Sequence, residues 1–387
     1  MASTNPLVSI WIPVYNGAHL ISKALESCIH QTYKNIEVIV FDDASTDSTG
    51  RVVAEYVGRD TRVKYFKTEK NLGQNKSYPK ILERCSGELS LFLCADDWIS
   101  RNYIEEAVEI FTDDPGTGAV TSRVWSVSEK GGRYSFSREP EVKTGRYARR
   151  WFGRNAYRNF ITSMLILGVV RTKDALRAAY RINEIVNNPP PELDNELKML
   201  IQREYGGEFI FCAEVMAHYS HLHVPTSAIL LKTELPEEHY VENKGSMKMR
   251  IKFKLWPHER TANGILKLHH FSRKLYDVSF KNDWKEYIPA MRIFFGQEAF
   301  ATIVIEGIKR RFASSFFNWP NLTKGLDEFF SEYSLYEVAS SLLLALPRVF
   351  IRMAGSLRRR IFRAPRQDIY KREYFLNREG HFLVSEK

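Results

Sequence analysis

Asp96 and Asp97 are adjacent carboxylates at the end of a short apolar run, Leu89, Leu91, Phe92, Leu93 and Cys94. A run of this length bounded by polar residues reads as a buried strand of a parallel sheet. Two like charges at its C-terminal end are costly unless something positive joins them. That end of an open α/β sheet is also where ligands bind. Hard cations such as Mg²⁺ and Mn²⁺ take oxygen ligands and commonly link a protein carboxylate to substrate phosphates. The pair therefore suggests a metal, a phosphorylated ligand and an enzyme. A plainer role stays open at this point: solvated acids, with Asp97 capping a helix that begins near Ser100.

The elements that would carry this pair alternate strand and helix. Leu7–Val14 reads as a strand ending at Tyr15-Asn16-Gly17. Ala18–Gln31 has helical spacing (Leu20, Ile21, Ala24, Leu25, Cys28, Ile29). Ile36–Phe41 is a second strand, ending in Asp42-Asp43. Capping residues Ser45–Ser48 precede a helix through Val52, Val53 and Tyr56. Val63–Phe66 is a third strand, followed by Asn71-Leu72-Gly73. Gln74–Cys85 reads as a helix that Pro79 disturbs, and Leu89–Ala95 is the fourth strand. Repeated βα units imply a parallel sheet with helices on both faces. Its polar strand ends, Tyr15-Asn16, Asp42-Asp43 and Asp96-Asp97, then converge on one crevice.

The chain has 387 residues, enough for two domains. Residues 226–387 hold 28 Lys and Arg against 18 Asp and Glu, whereas residues 1–225 are balanced at 28 each. The entire net charge of +10 therefore falls in the C-terminal part, which argues for two regions with different partners. Cys28, Cys85, Cys94 and Cys212 lack CxxC spacing and fit buried thiols in a reducing compartment. The N-terminus carries neither a basic n-region nor a long apolar core, so no secretory leader is expected. No apolar run reaches the roughly 18 residues that span a bilayer. Basic charge without a recognisable nucleic-acid module argues against a nucleic-acid partner.

Five elements, in order and spacing, resemble family 2 nucleotide-sugar glycosyltransferases of the GT-A fold, which invert configuration. They are Pro13-Val14-Tyr15-Asn16, Gln31-Thr32-Tyr33, Asp42-Asp43-x-Ser45-Thr46-Asp47, Asn71-x-Gly73 and Ala95-Asp96-Asp97. The likeness covers about a hundred residues closely and weakens toward residue 227. It implies a Rossmann-like, mostly parallel sheet flanked by helices. It also implies that Tyr15 lies against the nucleobase, with Pro13 and Val14 lining the same wall. Asp43 would accept a hydrogen bond from the base, and Asp42 would support that loop. Asp96 would contact the ribose. Asp97 would hold Mn²⁺ or Mg²⁺ across the donor diphosphate. UDP or dTDP is expected ahead of GDP.

The resemblance also places a base near a helix start, and Asp194 in Pro-Glu-Leu-Asp-Asn-Glu-Leu aligns with it. Leu193 stands where the family usually has Glu, and Glu192 and Glu196 compete for the role. Acids at a helix start also favour the macrodipole for purely structural reasons. Of His218, His221 and His223, His223 best fits the family histidine near the metal, leaving His221 where an Arg usually contacts the diphosphate. Two further departures blur the donor. Cys94 stands where relatives often have the first Asp of Asp-x-Asp-Asp, and it is expected to be a core thiol. Gln74-Asn75-Lys76 replaces a glycine-rich continuation after Asn71-x-Gly73, and Lys76 is a candidate phosphate contact.

Residues 1–230 are thus expected to form the catalytic domain, and 231–387 a mainly helical, basic region. A strand is expected at 208–212. In the second region Leu335, Val338, Leu342, Leu346, Val349, Met353 and Leu357 recur on one helical face, which Pro347 should kink or divide. Residues 348–372 hold nine basic residues and one acid. Such a helix suits an anionic membrane surface, with packing on the catalytic domain as the competing role. The resulting expectation is a metal-dependent transferase moving a sugar to a glycan or lipid-linked glycan acceptor in surface polysaccharide or lipopolysaccharide synthesis. It would sit in the cytoplasm, peripheral on the inner membrane face, with its oligomeric state open. A non-catalytic nucleotide-sugar-binding or scaffold subunit is the alternative.

Overall fold

Strand β1 (Val8–Val14) is buried at every position but Pro13, and β2 (Ile36–Asp42) at every position. Strands apolar on both faces need helices on both sides, and βα units supply them. The computed structural model describes residues 5–121, 123–130, 133–138, 145–148, 167–189, 221–224, 229–234, 319–331 and 333–361, with isolated positions and two short strands elsewhere. After β1 come α1 (Ile21–Ile29), then β2, α2 (Thr49–Arg59), β3 (Val63–Lys67), α3 (Gln74–Leu82) and β4 (Leu89–Phe92). Next are β5 (Trp98–Ile99), α4 (Tyr103–Asp113), β6 (Thr117–Val120), β7 (Arg123–Lys130), β8 (Arg133–Arg138) and β9 (Gly145–Ala148). Then follow β10 (Val169–Arg171), α5 (Thr172–Asn187), β11 (His221–Val224) and β12 (Ile229–Glu234).

The main sheet runs β3-β2-β1-β4-β10-β6-β11-β9. Strands β3, β2, β1 and β4 are parallel. Strand β10 runs against both β4 and β6, and β9 runs against β11. The mostly parallel sheet expected from the βα repeat is therefore observed, with β10 inserted beside β4. A second sheet has the order β5-β12-β7-β8.

Helix α1 buries Ile21, Ala24, Leu25 and Cys28, the i, i+3, i+4, i+7 stripe of an amphipathic helix. Its exit is fixed by Gln31, whose Nε2 donates to the carbonyls of Ser27 (2.9 Å) and Ser100 (2.8 Å) while its Oε1 accepts from Ile104 N–H. Thr32 N–H donates to Arg101 O and its hydroxyl to Glu105, and Tyr33 Oη donates to Pro6 O. The Gln31-Thr32-Tyr33 motif is thus a clasp between α1 and the approach to α4. Trp11, Tyr78 and Phe92 pack ring to ring at 4.7–5.5 Å, joining β1, α3 and β4. Pro79 lies inside α3 without breaking it, although the helix ends at Leu82, short of the expected Cys85. Gly87 is needed for close approach: a Cβ there would lie 2.6 Å from Leu7 O and 2.7 Å from Ser9 N.

At the N-terminal edge of the sheet, Glu37 accepts from Ser9 Oγ (2.6 Å), Lys64 Nζ (2.7 Å) and Ser86 N–H (2.5 Å). Burial works to raise its pKa, but these donors outweigh it and hold the carboxyl below the ordinary glutamate value.

The chain divides into two compact units. One comprises Met1–Pro191, Leu200–Glu237 and Lys371–Lys387, and the other Glu192–Met199 and Glu238–Tyr370. Of the strand expected at 208–212, Phe211 is the described residue, and it is helical. A four-residue apolar run does not distinguish a buried helix from a strand by periodicity.

Within the second unit lie α6 (Trp319–Phe330) and α7 (Leu335–Ile361). Helix α7 starts with a capping box: Glu337 N–H donates to Ser334 Oγ (3.2 Å), and Ser334 N–H donates to Glu337 Oε2 (2.7 Å). Of the two effects expected of Pro347, division of the helix is not seen: α7 is one helix of 27 residues. Proline removes one backbone bond, and the face buried through Glu337, Ser341, Ala345 and Val349 continues across it.

Candidate active site

The C-terminal ends of β2 and β3 and the loops after them are joined by a network centred on two carboxylates. Asp42 Oδ1 accepts from Ser45 N–H (2.7 Å) and Oδ2 from Tyr65 Oη (2.5 Å). Burial and the adjoining Asp42 carboxylate push the Tyr65 phenol well above its ordinary pKa, so it stays a donor. Asp43 faces the next loop. Its Oδ1 accepts from Leu72 N–H (2.8 Å) and Thr68 Oγ1 (3.2 Å), and its Oδ2 from Gly73 N–H (2.9 Å). Gly73 has φ 79°, a conformation glycine adopts without strain, and it caps α3.

The β1 exit is fixed by Asn16, itself left-handed at φ 51°. Its Oδ1 accepts from Thr46 N–H (2.8 Å) and Asp47 N–H (3.4 Å), and its own N–H donates to Ser45 Oγ (2.8 Å). Gly17 N–H donates to Thr49 Oγ1 and Ala18 N–H to Asp47 Oδ2. Neighbouring donors outweigh burial and hold Asp47 below the ordinary aspartate pKa. These bonds leave Tyr15 on the rim, 43% exposed, beside half-buried Pro13 and buried Val14. Asn71 and Lys76 are exposed on the adjoining loop and the first turn of α3.

Ala95 meets this rim, since a Cβ on Gly17 would lie 3.9 Å from Ala95 Cβ. Ala95 sits in a turn closed by Asp97 N–H donating to Cys94 O (3.1 Å). Ligand atoms of Cys94, Asp96 and Asp97 all lie within 4.8 Å of one another. Cys94, expected to be a core thiol, is only half-buried and stands with the acids. Asp97 is 2% exposed and Asp96 half-buried. Two carboxylate oxygens held this close together suit a hard divalent cation. The residues present therefore fit Mn²⁺ or Mg²⁺.

His223 is not part of this group. Through β6 and β10 it is in register with Leu91, below the strand ends, and β10 and β6 separate β11 from β4. Its Nε2 instead faces Asp114 Oδ2 (3.3 Å), as does His221 Nε2 (2.7 Å). Asp114 carried no sequence signal; it is remote from both histidines along the chain, and only strand pairing joins them. Asp194, Glu192 and Glu196 lie outside the described residues.

Residues 9–172 match the family model described as Glycosyl transferase family 2. This segment belongs to that family. It contains every described residue of the rim, from Pro13 to Asp97. Over 129 residues the chain is 34% identical to Glycosyltransferase GlyA of Streptococcus pneumoniae serotype 4, covering 33% of this chain and 18% of that one. It is 31% identical over 126 residues to the chondroitin synthase of Escherichia coli, covering 33% and 18%. The chain thus spans under a fifth of the length of both relatives. S. aureus TarS residues 1–349, solved in complex with UDP-GlcNAc, superposes with a TM-score of 0.54 at 16% identity, covering 98% of this chain and 97% of that one. At that identity the likeness concerns the fold.

Proposed function

We propose that this chain is a metal-dependent, inverting glycosyltransferase that moves a sugar from a nucleoside-diphosphate donor to a hydroxyl of a glycan acceptor. The observation that carries this reading is the meeting of Tyr15, Asp43 and the Cys94-Asp96-Asp97 cluster on one rim of a family 2 segment. The exposed Tyr15 ring offers a stacking face for the nucleobase, with Pro13 and Val14 beside it. Asp43 accepts three hydrogen bonds of the roughly four a carboxylate can take, leaving capacity for a base N–H. Asp42 holds the loop from below. Asp96 is assigned to the ribose, Lys76 and Asn71 to the diphosphate side, and Asp97 to the metal. When bound, Mn²⁺ or Mg²⁺ would stabilise negative charge on the departing nucleotide. UDP or dTDP is the proposed carrier; the TarS neighbour was solved with UDP-GlcNAc.

The reaction is a single displacement. The acceptor hydroxyl oxygen bonds to the anomeric carbon while that carbon's bond to the diphosphate oxygen breaks. Asp194 takes the hydroxyl proton. The proposed acceptor is a lipid-linked glycan of a surface polysaccharide. Helix α7 supports a membrane setting: Leu335, Tyr336, Leu342, Leu343, Leu344 and Leu346 are exposed, and from Val338 to Ile361 its sequence has five arginines and no acid. That combination matches an anionic lipid surface on the cytoplasmic side. Among the described residues no helix is long and apolar enough to cross a membrane.

The test is donor turnover across nucleotide sugars with and without Mn²⁺ or Mg²⁺, in wild type, Asp97→Asn and Asp194→Asn. Each variant is expected to lose at least about 100-fold in turnover while unfolding near the wild-type temperature. Wild-type-like turnover in either would overturn its assigned role.

A further inference from the structure

A second group of potential metal ligands lies away from the rim. Asp114 terminates α4, ahead of β6. His221 and His223 are two apart on β11, so their side chains project from the same face. Their rings are 5.2 Å apart, and ligand atoms of all three residues lie within 4.8 Å of one another. Strands β6 and β4 run in the same direction, since each is antiparallel to β10. Asp114 therefore belongs to the N-terminal edge of the sheet, opposite Asp97.

The distances decide what fits. A tetrahedral zinc with bonds of about 2.0–2.2 Å needs its ligand atoms about 3.3–3.5 Å apart. His223 Nε2 is already 3.3 Å from Asp114 Oδ2. His221 Nε2 is 2.7 Å from the same oxygen, so a modest side-chain opening suffices there. Two imidazoles and one carboxylate suit zinc, with a fourth position left for water.

One residue opposes the ion. Arg146, on β9, places Nη2 2.8 Å from His221 Nδ1 and Nε 3.6 Å from Asp114 Oδ2. A guanidinium only donates, so His221 Nδ1 carries the lone pair and Nε2–H points to Asp114. A metal on Nε2 would move the ring hydrogen to Nδ1, where it would face the guanidinium donor. Arg146 must then withdraw, and its side chain, 59% exposed, is free to swing outward.

We propose that Asp114, His221 and His223 form a three-ligand site for a zinc-type divalent ion, in exchange with Arg146. The ion would pin β11 to the α4–β6 turn independently of donor binding. The experiment is zinc chloride titration of the full chain by calorimetry in an Asp97→Asn background, which removes the rim carboxylate. One zinc per chain should remain. His223→Ala should weaken it at least tenfold, given that even outer residues around a metal cost about 10–100-fold. Arg146→Gln, which removes only the competing cation, should tighten it. No zinc in the Asp97→Asn chain, or unchanged affinity in either further variant, overturns the site; the arginine variant reads it even if the histidine variant does not fold.

Discussion

Asp42 and Asp43 stand side by side yet serve different loops. One holds the Ser45 amide and the Tyr65 hydroxyl; the other holds the amides of Leu72 and Gly73. The sequence showed both as a polar strand end. It did not show the second partner, because that contact depends on the left-handed backbone at Gly73, which brings the 71–73 loop back onto β2. Glu37 makes the same kind of clamp at the opposite sheet edge, and its consequence is measurable. A carboxyl whose folded pKa lies below the unfolded value adds stability that is complete above the unfolded pKa and is lost as pH falls through the folded one. Acid unfolding below about pH 4.5 should therefore be shallower for Glu37→Gln than for wild type, from a lower starting stability at neutral pH. Parallel acid limbs in pH-dependent thermal unfolding would contradict this. His223 shows the limit of reading residue by residue: its chemistry was legible, but its partner Asp114 was set by the β6–β11 pairing.

Among the elements, α7 departs most from its sequence reading. Its repeat of apolar residues at three and four was legible, and so was the start at Ser334-x-x-Glu337. Two things were not. Pro347 is tolerated because the buried face continues on both sides. The apolar residues also divide, with Ala345 and Val349 buried while Leu342 and Leu346 face outward. Periodicity finds the stripe but not which part of it a neighbour covers. Six large apolar side chains left in water form the kind of patch that marks a binding surface. The membrane reading predicts that Leu343→Glu with Leu346→Glu lowers flotation with anionic vesicles several-fold while donor hydrolysis stays intact. Undiminished flotation would refute it, and loss with neutral vesicles alone would assign the patch to a non-electrostatic partner.

Across the molecule, the first unit was the more legible because βα repeats are local: one helix joins each strand to the next. Every described rim residue lies between Pro13 and Asp97, and the strands that carry the rim, β1, β2 and β4, are hydrogen-bonded neighbours. What was not legible is the far side of the sheet, where β10 enters antiparallel beside β4 from nearly eighty residues downstream. That topology sets a timetable. At about 5–20 residues per second, synthesis of the stretch between β4 and β10 takes about 4–15 s. Throughout that interval the rim strands can assemble while the outer edge of β4 is bare, and a bare apolar edge invites other chains. A chain ending at residue 121 should accordingly sediment as aggregate, whereas one ending at residue 189, with β10 in place, should be markedly more soluble. Equal solubility would show that something other than β10 shields that edge on the ribosome.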